Sequence, residues 1–258
     1  MLRFRSLGSG SSGNATVIEA RGQVRTTRML VDCGFTLREL DRRLARAGLA
    51  ASDIDAVFIT HEHGDHFGSA HAFSLRGELP VWMSEGTWRA SGTHDFEGRL
   101  RLTRDGDAVE IGELMLQPFT VPHDAREPLQ LICSDGARRM GVLTDLGHAT
   151  PHALAHVTAL DALLLEFNHD PQMLANSRYP AFLKRRVSSP YGHLANEAAA
   201  AIAEAVCHDK LRHLVATHLS QRNNRPELVR RAMAQAVNGR DQDMLCADAV
   251  EGCPWLGL

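Results

Sequence analysis

Residues 56–66 concentrate metal-binding and proton-moving side chains in one short stretch of a 258-residue chain. An apolar, β-branched run from Ala56 to Thr60 reads as a buried strand and empties into His61-Glu62-His63-Gly64-Asp65-His66. Five of these six residues bind metals or carry protons. His61 and His63 stand two apart, so an extended backbone leaving the strand puts both imidazoles on one side, where they chelate one ion. Gly64 lets the chain turn, which brings Asp65 and His66 round to a second point nearby. The loop therefore supplies two half-sites. The plainer reading is a polar turn in a chain that carries 14 histidines, but so many ligands behind a buried strand are costly to place by accident.

Other apolar runs end in the same way. Phe119-Thr120-Val121 leads to His123, Leu143-Thr144 to Asp145, Ala162-Leu163-Leu164-Leu165 to Glu166, and His213-Leu214-Val215-Ala216-Thr217 to His218. Taken singly, His123 reads equally well as a turn histidine and Asp145 as a helix cap. Glu166 has a plain reading as a cap for the following helix, and His193, in Gly192-His193-Leu194, as a residue that only orients a ligand.

The elements that must position these groups read in order as follows. Leu2 to Ser6 and Ala15 to Ala20 are strands around the glycine-serine run Leu7 to Asn14, a tight loop whose amides could meet a phosphate. Met29 to Val31 is a third, buried strand before Asp32-Cys33-Gly34. Thr36 to Leu49 has helical spacing, with Thr36 as N-cap and Gly48 as stop. His66 to Arg76 reads as one helix turning Phe67, Ala70, Ala72 and Phe73 inward. Pro80 to Met83 is a strand, and Glu85 to Ala90 a short helix. Residues 99–121 read as a three-stranded meander turning at Asp105-Gly106 and Gly112-Glu113. Leu129 to Ser134 and Met140 to Thr144 form a hairpin. Tyr179 to Ser189 reads as an irregular basic insert, with Lys184, Arg185 and Arg186 near Tyr179 and Phe182. Asn196 is placed to cap the helix Glu197 to Val206, and Pro226 to Val237 closes the chain. No linker stands out, and the order suits an α/β protein of one domain, residues 1–258, made of two βα halves packed sheet to sheet.

Composition excludes more than it selects. A net charge of −3 gives no global attraction to nucleic acid or membrane, without excluding a local basic face. The charged amino terminus is too short to be a signal peptide and no apolar run is long enough to span a bilayer, so a soluble, cytoplasmic protein is expected. Five scattered cysteines without CxxC spacing suggest neither disulfides nor a zinc knuckle.

The stretch His61-Glu62-His63-Gly64-Asp65-His66, with His123, Asp145 and His218 at later strand ends, resembles the HxHxDH signature of the metallo-β-lactamase superfamily. That resemblance implies a four-layer αβ/βα sandwich and a pair of divalent ions. One ion would be held by His61, His63 and His123, the other by Asp65, His66 and His218, with Asp145 bridging. The ligand set suits zinc, while manganese and iron also accept nitrogen and oxygen donors. An aspartate at the bridging position speaks against true β-lactamases. Glu166 and His193 resemble the pair that protonates the leaving group in the RNase Z branch. Four segments, Ser6 to Asn14, Val121 to Ala125, Glu166 to Asp170 and Gly192 to Asn196, together resemble the YycJ (WalJ/VicX) group of bacterial metallo-hydrolases.

The resemblance implies hydrolysis of phosphodiester bonds in DNA or RNA, in the manner of a nuclease or exonuclease. A metal-bridging hydroxide would attack phosphorus, Asp65 would take its proton, and His193, set by Glu166, would protonate the leaving oxygen. Asn168, His169, Asp170 and the Lys184 to Arg186 segment are candidates for lining or gripping the substrate, although aromatics at 5% of the chain rule against a large stacking platform. The rivals are a thioester or lactone hydrolase of the glyoxalase type, a small-molecule phosphodiesterase, and a non-catalytic scaffold stabilised by its metals.

Overall fold

The computed structural model describes residues 1–237 and 243–258. The first part of the chain forms β1 (Leu2–Gly8), β2 (Ala15–Arg21), β3 (Thr26–Val31), α1 (Leu37–Arg46), β4 (Ala56–Phe58), α2 (Gly64–Phe67), α3 (Ala70–Gly77), β5 (Val81–Met83), α4 (Glu85–Ala90) and β6 (Leu100–Leu102). The second forms β7 (Val109–Ile111), β8 (Leu114–Thr120), β9 (Leu129–Ser134), β10 (Arg139–Leu143), α5 (Pro151–His156), β11 (Ala162–Glu166), α6 (Pro171–Asn176), α7 (Ala181–Val187), α8 (Asn196–Val206), β12 (His213–Thr217), α9 (Pro226–Val237), β13 (Asp243–Cys246) and β14 (Leu256–Gly257). Two seven-stranded sheets result, in the orders β14-β1-β2-β3-β4-β5-β6 and β13-β12-β11-β10-β9-β8-β7.

Strand periodicity explains the layering. Along β11, Ala162 and Leu164 point into the space between the sheets, with Phe4, Phe58 and Leu131, while Leu163 and Leu165 point out to Ile202 of α8 and Met233 of α9. Along β4, Phe58 joins the inter-sheet layer and Val57 packs beneath Leu40 and Leu44 of α1 and Phe73 of α3. A strand covered on both faces reads as an unbroken apolar run, which is why these strands showed no alternation in sequence. The architecture is the expected four-layer αβ/βα sandwich.

Strand direction carries the functional consequence. β10, β11, β12 and β13 are mutually parallel. β8 is antiparallel to β9, and β9 to β10, so two reversals set β8 parallel to β10. The carboxyl ends of β8, β10, β11 and β12 therefore open on one edge of the second sheet. Ligands in such sheets gather at that edge.

Several local expectations are corrected. The meander does not form: β6 pairs in parallel with β5 in the first sheet, and β7 begins the second. The Asp105-Gly106 turn is present, with Gly106 at φ 81°, but the chain uses it to cross between sheets. Turn chemistry alone does not say whether its flanking strands pair. The helix from His66 breaks at Gly68, whose φ of 34° and approach to the Cys33 carbonyl leave no room for a side chain; Ala72 is exposed. Residues 181–187 are not an irregular insert but the helix α7, none of whose residues is buried, so it lacks the apolar stripe that reveals a helix in sequence. Ala195, not Asn196, is the N-cap of α8; Asn196 is buried and exchanges side-chain hydrogen bonds with Asn224.

On β2, Glu19 is fully buried and faces Arg3 across β1 and Arg28 across β3. Burial pushes its carboxyl up, but hydrogen bonds from Arg3, Arg21 and Arg28 outweigh that and hold it at about 2. Because the folded value lies below the usual 4.5, the stabilisation is present above that pH and is lost as pH falls towards 2. Glu19→Gln is expected to cost about 2–3 kcal/mol at pH 7, since the freed guanidinium groups keep partial access to water. In urea unfolding, the gap to the parent chain should narrow steadily below pH 4.5; a gap unchanged at pH 3 would refute this account.

Candidate metal centre

The centre is registered by Asp32, at the end of β3. Its backbone N–H donates to the Phe58 carbonyl at 2.8 Å, and its carboxylate accepts the Thr60 N–H (2.9 Å) and hydroxyl (2.9 and 3.0 Å). The other product of this anchoring is a 2.7 Å contact from Asp32 Oδ2 to His66 Nδ1. With Nδ1 so occupied, His66 presents Nε2 to Asp145 Oδ2 at 2.8 Å. Asp32, Asp145 and His218 all adopt positive φ, 62°, 49° and 52°. Such backbone strain in non-glycine residues clusters at functional sites, where the surrounding structure over-determines it.

Three imidazoles converge at the end of β4. His61 Nε2 lies 3.0 Å and His123 Nε2 3.3 Å from His63 Nδ1. The opposite nitrogens are held: His61 Nδ1 by the Thr60 hydroxyl (3.0 Å), His123 Nδ1 by the Gly192 carbonyl (3.0 Å). A second group gathers Asp65, His66 and His218. His218 Nε2 is 3.2 Å from Asp65 Oδ2 and 3.5 Å from Asp145 Oδ1, and His66 Nε2 is 3.7 Å from Asp65 Oδ2. Asp145 thus stands between His66 and His218. All seven residues expected from sequence come together.

Glu166 and His193 join them. Glu166, buried at the end of β11, uses Oε2 to accept the N–H groups of Leu146 (3.0 Å) and Leu194 (3.1 Å), and Oε1 to accept His193 Nδ1 at 2.7 Å. His193 Nδ1 also lies 3.2 Å from Asp145 Oδ1. Burial pushes the His193 imidazole down, but Glu166 and Asp145 outweigh it and raise it well above the ordinary histidine range. The ring stacks on His218, 5.3 Å away at 10°.

A cavity of about 380 Å³ opens over these groups, lined among others by Asp65, Asp145, His193, Asn168, Tyr179 and Arg186. Arg186 Nε donates to Asp124 Oδ2, while Asp124 Oδ1 lies 3.4 Å from His123 Nε2 and 3.8 Å from His63 Nε2. His169, a candidate lining residue, is instead buried behind the cavity, its backbone paired with the segment at Leu194 to Asn196. Asp170 caps α6 through the Met173 N–H. In the glycine-serine loop the Ser9, Gly10, Gly13 and Asn14 amides are taken by protein acceptors, while Ser11 lines the cavity. The loop's work is positional. The Ser9 hydroxyl accepts the His218 N–H at 2.9 Å, and Asn14 Nδ2 contacts the Asp65 carbonyl and His66 Nε2.

Asp32, Asn14, Ser9 and Asp124 were not singled out from sequence. Asp32 carried a usable signal, because Met29-Leu30-Val31-Asp32 is a buried strand discharging an aspartate, as at Asp145. The rest depend on contacts between residues far apart in the chain and have no local signature.

The donor set fits divalent cations. Ring nitrogens face one another across short gaps, His61 Nε2 and His123 Nε2 at 3.0 and 3.3 Å from His63 Nδ1, and Asp145 Oδ2 stands 2.8 Å from His66 Nε2. Burial presses His61 well below the ordinary range, whereas His66, also pressed down by burial, is raised above it by Asp145 and Asp32. Mixed protonation of this kind is what a cation replaces.

This edge, on this sandwich, defines a hydrolase of the beta-lactamase superfamily: residues 27–219 match that superfamily's domain, and the chain belongs to it. Among its relatives, Exodeoxyribonuclease YycJ of Bacillus anthracis is 31% identical over 92% of this chain and 89% of its own length. Exodeoxyribonuclease WalJ of Streptococcus pneumoniae D39 is 28% identical over 93% and 89%. In fold, the metallo-beta-lactamase fold protein YhfI from Bacillus subtilis superposes with a TM-score of 0.76 over the whole of both chains, at 15% identity.

Removing Asp32 frees both the His66 ring and the Thr60 turn. Asp32→Ala is expected to weaken metal binding about 10- to 100-fold, read by chelator competition. Retention of parent affinity would show that the ligands orient themselves without it.

Proposed function

We propose that the chain is a dinuclear metal-dependent nuclease that hydrolyses phosphodiester bonds in DNA from an end. His61, His63 and His123 would hold one ion, Asp65, His66 and His218 the other, with Asp145 shared. Five imidazoles and two carboxylates suit zinc, and manganese or iron accept the same donors. Such ions, when bound, supply a nucleophilic water at neutral pH and neutralise charge on phosphoryl oxygens.

The observation that carries the reading is the 2.7 Å pair between His193 and Glu166 beside both half-sites. A phosphodiester leaves as an alkoxide, which needs a proton at a defined place, and thioesters or lactones need far less help. With Nδ1 committed to Glu166, Nε2 of His193 is left to deliver that proton to the leaving oxygen. Asp65 remains ionised: burial pushes its carboxyl up, and His218 and His66 bring it down to about 2, which suits a ligand; as acceptor for the water's proton it would act by its position rather than by its basicity. Two relatives named exodeoxyribonucleases, matched over nine-tenths of the chain, support DNA as the substrate.

The basic helix α7 suits the same substrate. Arg186 and Tyr179 line the cavity, and Phe182 on the same helix and Tyr191 just beyond it are 66% and 59% exposed. Exposed aromatics beside arginine stack bases and hold phosphates with little regard to sequence.

End-labelled single- and double-stranded DNA and RNA, incubated with manganese or zinc, test the proposal. DNA cleavage by the parent chain should vanish in Asp65→Ala. His193→Ala should lose roughly a hundredfold or more in turnover with unchanged metal content; a loss below about fivefold would remove His193 from the acid role. Failure to cut any polymer with a full metal complement would move the reaction to a small ester or diester.

For Arg186→Ala the expected change is of another kind. KM for DNA should rise about tenfold with kcat nearly constant, and the salt dependence of binding should flatten by about one phosphate contact. A kcat effect alone would place Arg186 in the chemistry instead.

A further inference from the structure

A second group of ligand-type side chains lies away from this edge, on α5 and the turn between β6 and β7. His152 and His156 are four residues apart on α5, so they share a face one turn apart, with ring centroids separated by 4.6 Å. Asp105 meets them from the crossover turn, its Oδ2 lying 2.8 Å from His152 Nε2. One ligand atom from each of the three falls within 4.8 Å of the others. No residue of this group takes part in the centre described above.

The surroundings hold these side chains in a ligating form. His156 Nδ1 donates to the His152 carbonyl at 2.9 Å, which makes Nε2 the nitrogen with the free lone pair. Its ring lies flat on buried Phe119, 4.7 Å away at 10°. Asp105 Oδ2 accepts the Thr120 hydroxyl (2.6 Å) and N–H (3.2 Å), which fixes the carboxylate against the end of β8. His152 is about half exposed and Asp105 a third, so the group is open to ions from solution.

We infer that Asp105, His152 and His156 form a separate metal site for an imidazole-preferring first-row cation, of the zinc, nickel or copper class. Two imidazoles and one carboxylate make three ligands, and solvent completes a fourth position. Magnesium and calcium, which require mostly oxygen donors, are excluded by this set. The entering ion displaces the proton shared by His152 and Asp105, which leaves to solvent. Binding clips α5 to the crossover turn and to Thr120, three residues ahead of His123.

The test is equilibrium dialysis of the untagged, metal-replete protein against zinc and nickel, with His152→Gln and His156→Gln alongside. The parent chain should bind one equivalent more than either variant, or bind that equivalent at least about tenfold more tightly. DNA hydrolysis by both variants should stay within twofold of the parent. Because His156 packs on Phe119, the exposed His152→Gln is the deciding variant if His156→Gln folds poorly. Equal stoichiometry and affinity in the parent chain and His152→Gln would overturn the site and leave His152 and Asp105 as a surface ion pair only.

Discussion

The catalytic edge depends on burying more negative charge than the chain can neutralise with fixed cations. Asp32, Asp145 and Glu166 are each almost wholly buried, and Asp65 stands beside them. Among the described residues no lysine or arginine pairs with Asp32, Asp145 or Glu166. Histidine supplies the compensation instead, and it is the one side chain that serves as a proton carrier or as a neutral ligand according to what occupies the space between. The carboxylates beside them raise both His66 and His193 above the ordinary histidine range; a cation in the centre would take over that compensation at His66, while His193 stays paired with Glu166. The alternative, uncompensated carboxylates in a protein interior, costs several kcal/mol for each ion.

Such a set is held only if every ligand arrives from a rigid support. Strand ends provide it. Parallel pairing of β10, β11 and β12, and the double reversal that aligns β8 with them, bring His123, Asp145, Glu166 and His218 to one edge without long loops. β4 meets them from the opposite sheet. Asp32 then fixes the short span that β4 leaves exposed, by tying Thr60 and His66 to β3. Neither sheet alone supplies the His61-His63-His123 group or the Asp65-His66-His218 group, so the packing of one sheet on the other is itself part of the site. That places the demand for an apolar inter-sheet layer of Phe4, Phe58, Leu131 and Leu164 close to the demand for function.

The side chains of the cluster were legible in sequence because a polar group at a strand end leaves two signals side by side: an apolar run and a polar residue that no core would choose. His61 to His66, His123, Asp145, Glu166 and His218 all carry both. The layered fold was legible for a related reason, since strands covered on both faces lose their alternation. What stayed hidden was whatever depends on partners distant in the chain. Ser9 and Asn14 sit in a run that reads as a tight loop, but nothing local in it says that they hold His218 and His66. Helix α7 was missed because it buries nothing, and a helix without an apolar face has no period to read. The β6 to β7 crossover was misread because a turn's residues determine its bend and say nothing of the sheet each arm will join.

The segment Gly192-His193-Leu194 shows why those hidden contacts matter. The Gly192 carbonyl orients His123, a metal-centre histidine, while the next residue is the proposed acid. Glu166 holds the second and third residues of the segment, taking the His193 ring through Oε1 and the Leu194 N–H through Oε2. Helix α7 closes on the same segment: the His193 N–H donates to the Val187 carbonyl at 2.8 Å, and a side chain on Gly192 would collide with the Arg186 and Val187 carbonyls, 2.2 and 2.3 Å from its Cβ. Gly192 is therefore required for close approach rather than for its own backbone freedom. The helix that presents Arg186 to a phosphate is thus in backbone contact with the residue that would protonate the leaving group and with the carbonyl that aims His123. Under the proposed function, a substrate pressing on α7 would shift the acid together with His123, because both are tied to the same three residues, Gly192 to Leu194.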